Sequence, residues 1–137
     1  MNCIVTSSMQ GRSQANSAKG RKAESIARAY LADAGWLIID QNQYFLGGEL
    51  DLIAQDPDKV LVFVEVKSVW SDHGGRPQAQ VHRLKQVRLW KAASAWLARH
   101  HVKDRPMRFD VIAIRMNQQT VQLEHLRNAF MGPSSGY

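Results

Sequence analysis

The pattern of hydrophobic and polar positions along the chain predicts two helices. Apolar residues recur three or four positions apart in two stretches, and this spacing places them on one face of a helix. The first stretch predicts a helix over residues 19–34, which Gly35 ends, and the second predicts a helix over 79–101. The apolar face of the second helix comprises Leu89, Trp90, Ala93, Trp96 and Leu97.

Shorter apolar runs predict strands, at 36–45, 48–54, 60–67, 107–114 and 121–126. The last run suits either a short strand or the lead into a terminal turn. Between the second and third runs, Asp56-Pro57-Asp58-Lys59 is typical of a turn, so these two runs should form an antiparallel hairpin. The order α-β-β-β-α-β predicts an α/β fold in which helices flank a mixed central sheet.

Charged residues interrupt the predicted hairpin. If Pro57–Lys59 forms the loop, Asp51 lies opposite Glu65 and Glu49 lies opposite Lys67. Cross-strand partners have Cβ atoms roughly 4.5–5.5 Å apart, so the carboxylates of Asp51 and Glu65 would repel unless a cation lay between them. Mg²⁺ or Mn²⁺ takes oxygen ligands from carboxylates, which makes this pair a candidate metal site.

A surface salt bridge is the alternative explanation of these charges. Glu49 or Glu65 could pair with Lys67 on a solvated face, and such pairs typically contribute under about 1 kcal/mol. The run Val60–Val66, however, is apolar on both faces, which is typical of a strand covered on both sides. This favours the metal site, where Lys67 could orient or deprotonate a metal-bound water, a chemistry suited to phosphodiester hydrolysis.

Basic residues are concentrated in parts of the chain. The net charge is +6, and eight Lys or Arg residues with a single acid lie between Arg76 and Arg105. The second predicted helix is expected to carry a basic strip opposite its apolar face, formed by Lys85, Arg88, Lys91 and Arg99. The first predicted helix adds Lys19, Arg21 and Lys22. Composition alone fits nucleic-acid binding and a solvated charged surface equally well.

Three further polar residues each have two explanations. Glu24, at the edge of the first helix's apolar face, either complements the helix dipole or adds a third acid to the hairpin site. Gln86, on the core side of the second helix, either points at that site or caps a buried carbonyl. Asp110 either lies near the site or forms a salt bridge with Arg108 or Arg105.

Composition and length exclude several classes of protein. No apolar stretch is long enough to span a bilayer, and residues 1–18 lack a signal-peptide core, so a cytoplasmic location is expected. The single cysteine, Cys3, excludes an internal disulfide and a cysteine-based zinc site. Residues 1–18 are expected to form a disordered tail, 19–127 a single domain and 128–137 a C-terminal tail.

The motifs also carry a resemblance to a known family. Asp51 followed by Glu65-Val66-Lys67 resembles the PD-(D/E)xK signature of restriction-endonuclease-like nucleases, although Leu50 stands where that signature has proline. The full ordered set resembles the YraN-like family of small bacterial proteins over about residues 19–126, and it adds Gly20-Arg21, Ala23-Glu24, Gly48–Ala54, Phe63–Lys67 and Arg108–Val111. The resemblance implies a restriction-endonuclease-like α-β-β-β-α-β core, similar to that of Holliday-junction resolvases.

The resemblance also implies a role for each site residue. The metal ligands would be Asp51, Glu65 and the Val66 carbonyl, with Glu49 as a secondary candidate. Lys67 and the helix-borne acid Glu24 would be catalytic, with Gln86 as a secondary candidate. Val69 stands where relatives tend to carry a basic residue, so a phosphate contact would be either missing or supplied by Arg76. The expected nucleic-acid-binding residues are Arg21, Lys22, Arg76, Lys85, Arg88 and Lys91.

The sequence therefore predicts a metal-dependent endonuclease that acts on DNA, including branched or structured DNA, without a membrane partner. A homodimer would suit a junction, which needs paired sites. The alternative is a nucleic-acid-binding module of a repair, recombination or uptake machine that does not cut. The joint presence of Asp51, Glu65 and Lys67 favours the nuclease, because a binding module has no need of that triad. A purely structural protein with surface salt bridges ranks last.

Overall fold

The chain forms two helices and six strands in the part described by the computed structural model, residues 2–3, 13–70 and 81–131. In chain order these are β1 (Asn2–Cys3), α1 (Ser13–Asp33), β2 (Leu37–Phe45), β3 (Gly48–Gln55), β4 (Leu61–Trp70), α2 (Arg83–Arg99), β5 (Met107–Met116) and β6 (Val121–Phe130). The strands form one sheet in the order β1-β6-β5-β4-β3-β2. Only β4 and β5 pair in parallel among these strands, so the sheet is mixed.

The observed architecture confirms the predicted fold class. From α1 to β5 the order is α-β-β-β-α-β, which is also the order that the resemblance implies. A parallel pair needs a crossover connection, and α2 lies in the connection between β4 and β5. Neither described helix is long and apolar enough to cross a membrane.

Element boundaries differ from the prediction mainly toward the two ends of the chain. α1 begins at Ser13 instead of residue 19, and β6 ends at Phe130 instead of residue 126. The predicted limits of both tails therefore fall inside regular elements, and Asn2–Cys3 pairs with β6 as well. Polar residues that lack a periodic apolar pattern can extend an existing helix, because helix propagation adds one backbone hydrogen bond for each residue that becomes ordered. β6 continues because Phe109 of β5 pairs with Phe130 beyond a register shift.

Each helix covers one face of the sheet with apolar side chains. The buried cluster on the α1 face includes Ala23, Ala27, Leu31, Leu52, Val62 and Ile112. The cluster on the α2 face includes Leu89, Ala93, Trp96, Ile53, Phe63 and Phe109. Strands β3 and β4 are thus covered on both sides, as the apolar run Val60–Val66 predicted.

The β3–β4 hairpin has the predicted register. Residues 57–59 form the loop, and Leu52 pairs with Val64. Extension of the same register by one residue sets Asp51 opposite Glu65. The turn and the alternation of apolar residues were therefore sufficient to position these two acids.

A buried polar network ties the turn of this hairpin to β5 and β6. Arg108 donates to Asp56 through Nη1 at 2.6 Å and to Asp110 through Nε at 2.9 Å. The fully buried Asp110 also accepts a hydrogen bond from the N–H of Asn128, and its Oδ2 lies 2.9 Å from Nε2 of His125. Of the two explanations for Asp110, the structure supports the salt bridge with Arg108.

Gly48, at the start of β3, allows α2 to approach the sheet closely. A Cβ atom at this position would lie 3.0 Å from the backbone carbonyl oxygen of Arg88 and 3.6 Å from Cβ of Ala92. A backbone atom cannot rotate aside as the end of a flexible side chain can. A side chain at position 48 would therefore push α2 away from β3.

We expect Gly48→Ala to lower the free energy of unfolding by about 1–3 kcal/mol, the usual cost of overpacking. Urea denaturation followed by circular dichroism measures the change. Gly20→Ala is the matched control, because a Cβ at Gly20 of α1 would have nothing within 4 Å. Alanine there should raise stability by about 0.5–1 kcal/mol through helix propensity. Equal effects of the two substitutions would contradict the close approach of α2.

We expect Asp110→Asn to destabilise the protein by about 3 kcal/mol at neutral pH, because Arg108 loses a buried partner. Burial alone would raise the pKa of Asp110, but hydrogen bonds from His125, Arg108 and the Asn128 N–H outweigh it and hold the pKa below its ordinary 3.8. Asp110 thus stabilises the fold fully above that pH, and this contribution is lost as the pH falls through the lowered value.

Urea denaturation of wild type and Asp110→Asn at several pH values tests this dependence. The difference in stability should shrink as the pH falls below about 4, where Asp110 of the unfolded chain is protonated. Asp104→Asn is the control, because Asp104 is exposed and its φ of 54° suits asparagine. A difference that does not shrink below about pH 4 would contradict the assignment.

Candidate metal centre

Asp51 and Glu65 meet just beyond the last paired residues of the hairpin. Asp51 Oδ2 accepts a hydrogen bond from the N–H of Val66 at 2.8 Å. The carboxyl group of Asp51 is also hydrogen-bonded to that of Glu65, which is only 7% exposed. Burial, and then the hydrogen bond and charge of Glu65, raise the pKa of Asp51 well above its usual range. The two acids predicted to face each other are therefore in contact.

β3 departs from the strict alternation of faces beside this pair. Leu50 and Ile53 belong to the same cluster on α2, although strict alternation would place residues three apart on opposite faces. Asp51 lies between them, where it can approach both helices. Carboxylate oxygens of Glu24, Glu49 and Asp51 all lie within 4.8 Å of one another. An acid from α1 thereby joins two from β3.

Glu24 belongs to this cluster and not to the start of its helix. α1 begins at Ser13 and has no acidic residue in its first turn, so the helix dipole does not explain Glu24. Burial and then the charge of Glu49 raise the pKa of Glu24, and a hydrogen bond with Asn42 opposes them. Of the two explanations for Glu24, the geometry supports the third acid.

Lys85 of α2 pairs with Glu65, a contact that the sequence analysis missed. Its Nζ lies 2.8 Å from Oε2 of Glu65, and the lysine side chain is 54% exposed. The hydrogen bond to Glu65 raises the pKa of Lys85, against the effect of burial. The prediction placed Lys85 opposite the apolar face, and this was wrong. Lys85 precedes the buried Leu89 by four residues, so helical spacing puts both on the side that faces the sheet.

Lys67 lies in a cleft that opens beside the acids. The cleft has a volume of about 330 Å³, and its lining includes Glu65, Lys67, Ser68, Val81 and Lys85. Lys67 is half-buried there, two residues after Glu65 on β4. Two lysines, one from β4 and one from α2, therefore share a cleft with the buried Glu65.

Gln86 caps a backbone carbonyl, which is the second of its two predicted roles. Its Nε2 donates to the carbonyl oxygen of Val81 at 2.8 Å, just before the start of α2. This amide nitrogen therefore caps a backbone carbonyl and does not point at the acids. Val66, predicted to offer its carbonyl to a metal, uses its N–H to hold Asp51, and its carbonyl role stays a prediction.

The predicted nucleic-acid-binding residues fall into separate groups. Arg21 and Glu24 line a second, smaller cavity of about 160 Å³ on α1, and the neighbouring Lys22 is partly buried. Arg88 and Lys91 are exposed on α2. Arg76 lies outside the described residues. The two helices that supply Glu24 and Lys85 to the centre thus also carry these basic side chains.

The chemistry of the donor set fits a divalent cation. Glu24, Glu49 and Asp51 present carboxylate oxygens within 4.8 Å of one another, and Glu65 contacts Asp51 from the neighbouring strand. Hard cations such as Mg²⁺ take oxygen ligands of this kind and retain several waters. A cluster of acids also carries a repulsion that a cation would relieve.

Comparison with known proteins shows the family of this chain. The sequence profile of "Uncharacterised protein family UPF0102" matches residues 23–114, which include every acid of the centre together with Lys67 and Lys85. The chain belongs to the UPF0102 family. This confirms the predicted relationship to the YraN-like proteins. The description of the family states no activity.

Relatives of this UPF0102 chain occur in several bacteria. A UPF0102 protein of Geobacter metallireducens is 44% identical over 115 residues, which cover 84% of this chain and 93% of the relative. A UPF0102 protein of Bifidobacterium longum is 39% identical over 113 residues, which cover 81% and 91%. Among solved structures, Pyrococcus furiosus SfsA in complex with Ca²⁺ is 13% identical and covers 90% of this chain and 74% of its own, with a TM-score of 0.39.

We expect Asp51→Asn to make the UPF0102 chain more stable at pH 8 by about 1 kcal/mol or more, in buffer containing EDTA. The raised pKa of Asp51 means that the folded state resists an ionisation that the unfolded chain undergoes near 3.8. The penalty on folding therefore grows as the pH rises above that value, and asparagine removes it.

Urea denaturation between pH 4 and pH 8 measures this gain, which should increase with pH. Asp58→Asn is the control, since Asp58 is an exposed acid of the hairpin turn. A variant Asp51→Asn that is less stable than wild type at pH 8 would show that the acids do not strain the fold.

Proposed function

We propose that this protein is a metal-dependent endonuclease that hydrolyses phosphodiester bonds in nucleic acid, with DNA as the expected substrate. One observation carries the proposal: acids from α1, β3 and β4 converge beside a cleft that contains Lys67. Like charges held close together are costly to a fold, and such costs are commonly retained where a site needs them. A purely structural role would not require this convergence.

The ligands proposed for the cation are Asp51, Glu65, Glu49 and the carbonyl of Val66, with Glu24 as the acid from α1. Mg²⁺ or Mn²⁺ bound there would polarise a phosphoryl oxygen and lower the pKa of a coordinated water. The hydrogen bond from the Val66 N–H orients Asp51 for this task. Glu65 is held in place by its burial and by its contact with Asp51.

Lys67 is proposed to act on the attacking water and on the phosphate. Its position two residues after Glu65 on the same strand places it beside that acid, in the cleft. An ammonium there can orient the water and stabilise the charge that builds on the phosphate oxygens. Lys67 is therefore the residue whose loss should affect cleavage most directly without removing a proposed metal ligand.

The charge of the protein supports a polyanionic substrate. The net charge is +6, and exposed basic residues of α2, including Arg88 and Lys91, lie on the helix that borders the cleft. Arg21 and Lys22 extend the basic surface along α1. The resemblance to resolvases extends the proposal to branched DNA and to a homodimer, which would present two sites to one junction.

We expect cleavage of labelled DNA with Mg²⁺ or Mn²⁺ and none with EDTA. The substrate panel is single strand, duplex, flap, four-way junction and RNA, followed by gel electrophoresis. Lys67→Ala should lower the cleavage rate by at least about 100-fold, the usual contribution of a positioned proton-transfer group. The panel also ranks the substrates.

Lys103→Ala provides the matched control, because Lys103 is exposed, lies beyond α2 and does not line the cleft. Cleavage that persists in Lys67→Ala at the wild-type rate would indicate a contaminant or a wrong site. Salt-sensitive binding without cleavage in all three proteins would contradict the enzyme and favour the nucleic-acid-binding module.

A further inference from the structure

Lys85 holds the carboxylate that the proposed cation needs. Its Nζ lies 2.8 Å from Oε2 of Glu65, and Glu65 is 7% exposed. The other neighbour of this carboxylate is Asp51, to which it is hydrogen-bonded. A divalent cation bound by Glu65 would therefore have to share this carboxylate with Lys85 and Asp51.

The acids around Lys85 concentrate negative charge on one ammonium. Glu65 contacts it directly, and Asp51 and Glu49 also act on it electrostatically. A divalent cation at the same acids would repel a lysine ammonium held 2.8 Å from one of them. The two cations would thus compete for Glu65.

The Lys85 side chain can also adopt a position away from Glu65. Its side chain is 54% exposed, and it lines the cleft that also contains Lys67 and Ser68. A lysine has a flexible four-carbon stem, so its ammonium can turn from Glu65 into the cleft while α2 stays in place. The close packing of α2 on Gly48 keeps the helix, and with it the base of this side chain, at a fixed distance from β3.

We propose that Lys85 competes with a divalent cation for Glu65 and, when displaced, binds a phosphate of the nucleic acid in the cleft. This inference rests on the metal-dependent function proposed above. Its consequence is a coupling between two ligands: Lys85 becomes available to phosphate only when metal occupies the acids. By linkage, metal then strengthens nucleic-acid binding, and nucleic acid strengthens metal binding by the same factor.

A static salt bridge is the competing explanation, and it makes the opposite prediction. If Lys85 only stabilised Glu65, its loss would disorder the acids and weaken metal binding. Under competition, its loss removes a rival for the carboxylate and strengthens metal binding. The sign of one affinity change therefore separates the two explanations.

The first experiment measures Mg²⁺ and Mn²⁺ affinity by isothermal titration calorimetry, without nucleic acid. Lys85→Met should bind the metal about five- to tenfold more tightly than wild type, at the low end of common coupling factors. Lys85→Arg keeps the charge and should resemble wild type. Lys103→Met, which removes the same charge from an exposed position outside the cleft, should also resemble wild type. Equal or weaker binding in Lys85→Met would overturn the proposal.

The second experiment measures the coupling itself by fluorescence anisotropy of a labelled DNA duplex and a labelled four-way junction. Lys67→Ala serves as the background, so that cleavage does not interfere. In this background Mg²⁺ should tighten DNA binding, and the added Lys85→Met should abolish most of that enhancement. An enhancement that is the same with and without Lys85 would contradict the proposal.

Nuclear magnetic resonance of wild type keeps the test independent of any variant that folds poorly. The Lys85 ammonium signal, identified by its absence in Lys85→Arg, should shift on addition of Mg²⁺. A signal that stays unchanged while calorimetry reports binding would overturn the competition but not the proposed function. Absence of Mg²⁺ and Mn²⁺ binding in wild type and all variants would overturn both.

Discussion

The contact between the carboxyl groups of Asp51 and Glu65 is the constraint around which the centre is arranged. Two acids in contact repel each other when both are ionised, and burial together with the hydrogen bond and charge of Glu65 raises the pKa of Asp51. The fold holds them together through the Val66 N–H on one acid and the Lys85 ammonium on the other. The same strain that disfavours folding would favour a divalent cation.

The rest of the structure keeps these acids where they are. β3 and β4 are covered by α1 on one face and α2 on the other, so neither strand can turn its charges to solvent without losing buried apolar contacts. Gly48 brings α2 close enough for Lys85 to reach Glu65. At the other end of the hairpin, Arg108 joins the turn to β5 through Asp56 and Asp110. There each acid contacts the same guanidinium, whereas at the first end two acids contact each other.

Much of this arrangement could be predicted from residues that are close in the chain. The turn at 57–59 determines the register, and the register brings Asp51 to Glu65. The residues that the prediction placed wrongly, or left open, depend on contacts that periodicity and turn signals do not specify. Lys85 was assigned to the wrong side of its helix, and Gln86 proved to bind the nearby Val81 carbonyl. Glu24 was ambiguous until the helix was seen to begin at Ser13.

By itself, the sequence determined the order of elements, the mixed α/β sheet, the hairpin register and the two facing carboxylates, because periodicity and turn chemistry are local properties of the chain. Only the tertiary structure decided that the Lys85 ammonium contacts Glu65, that α1 supplies the third acid, and how closely α2 approaches β3. These three features depend on the packing distance between elements and on the departure of β3 from strict alternation between Leu50 and Ile53. Packing and twist arise from contacts between residues distant in the chain, which no local pattern encodes.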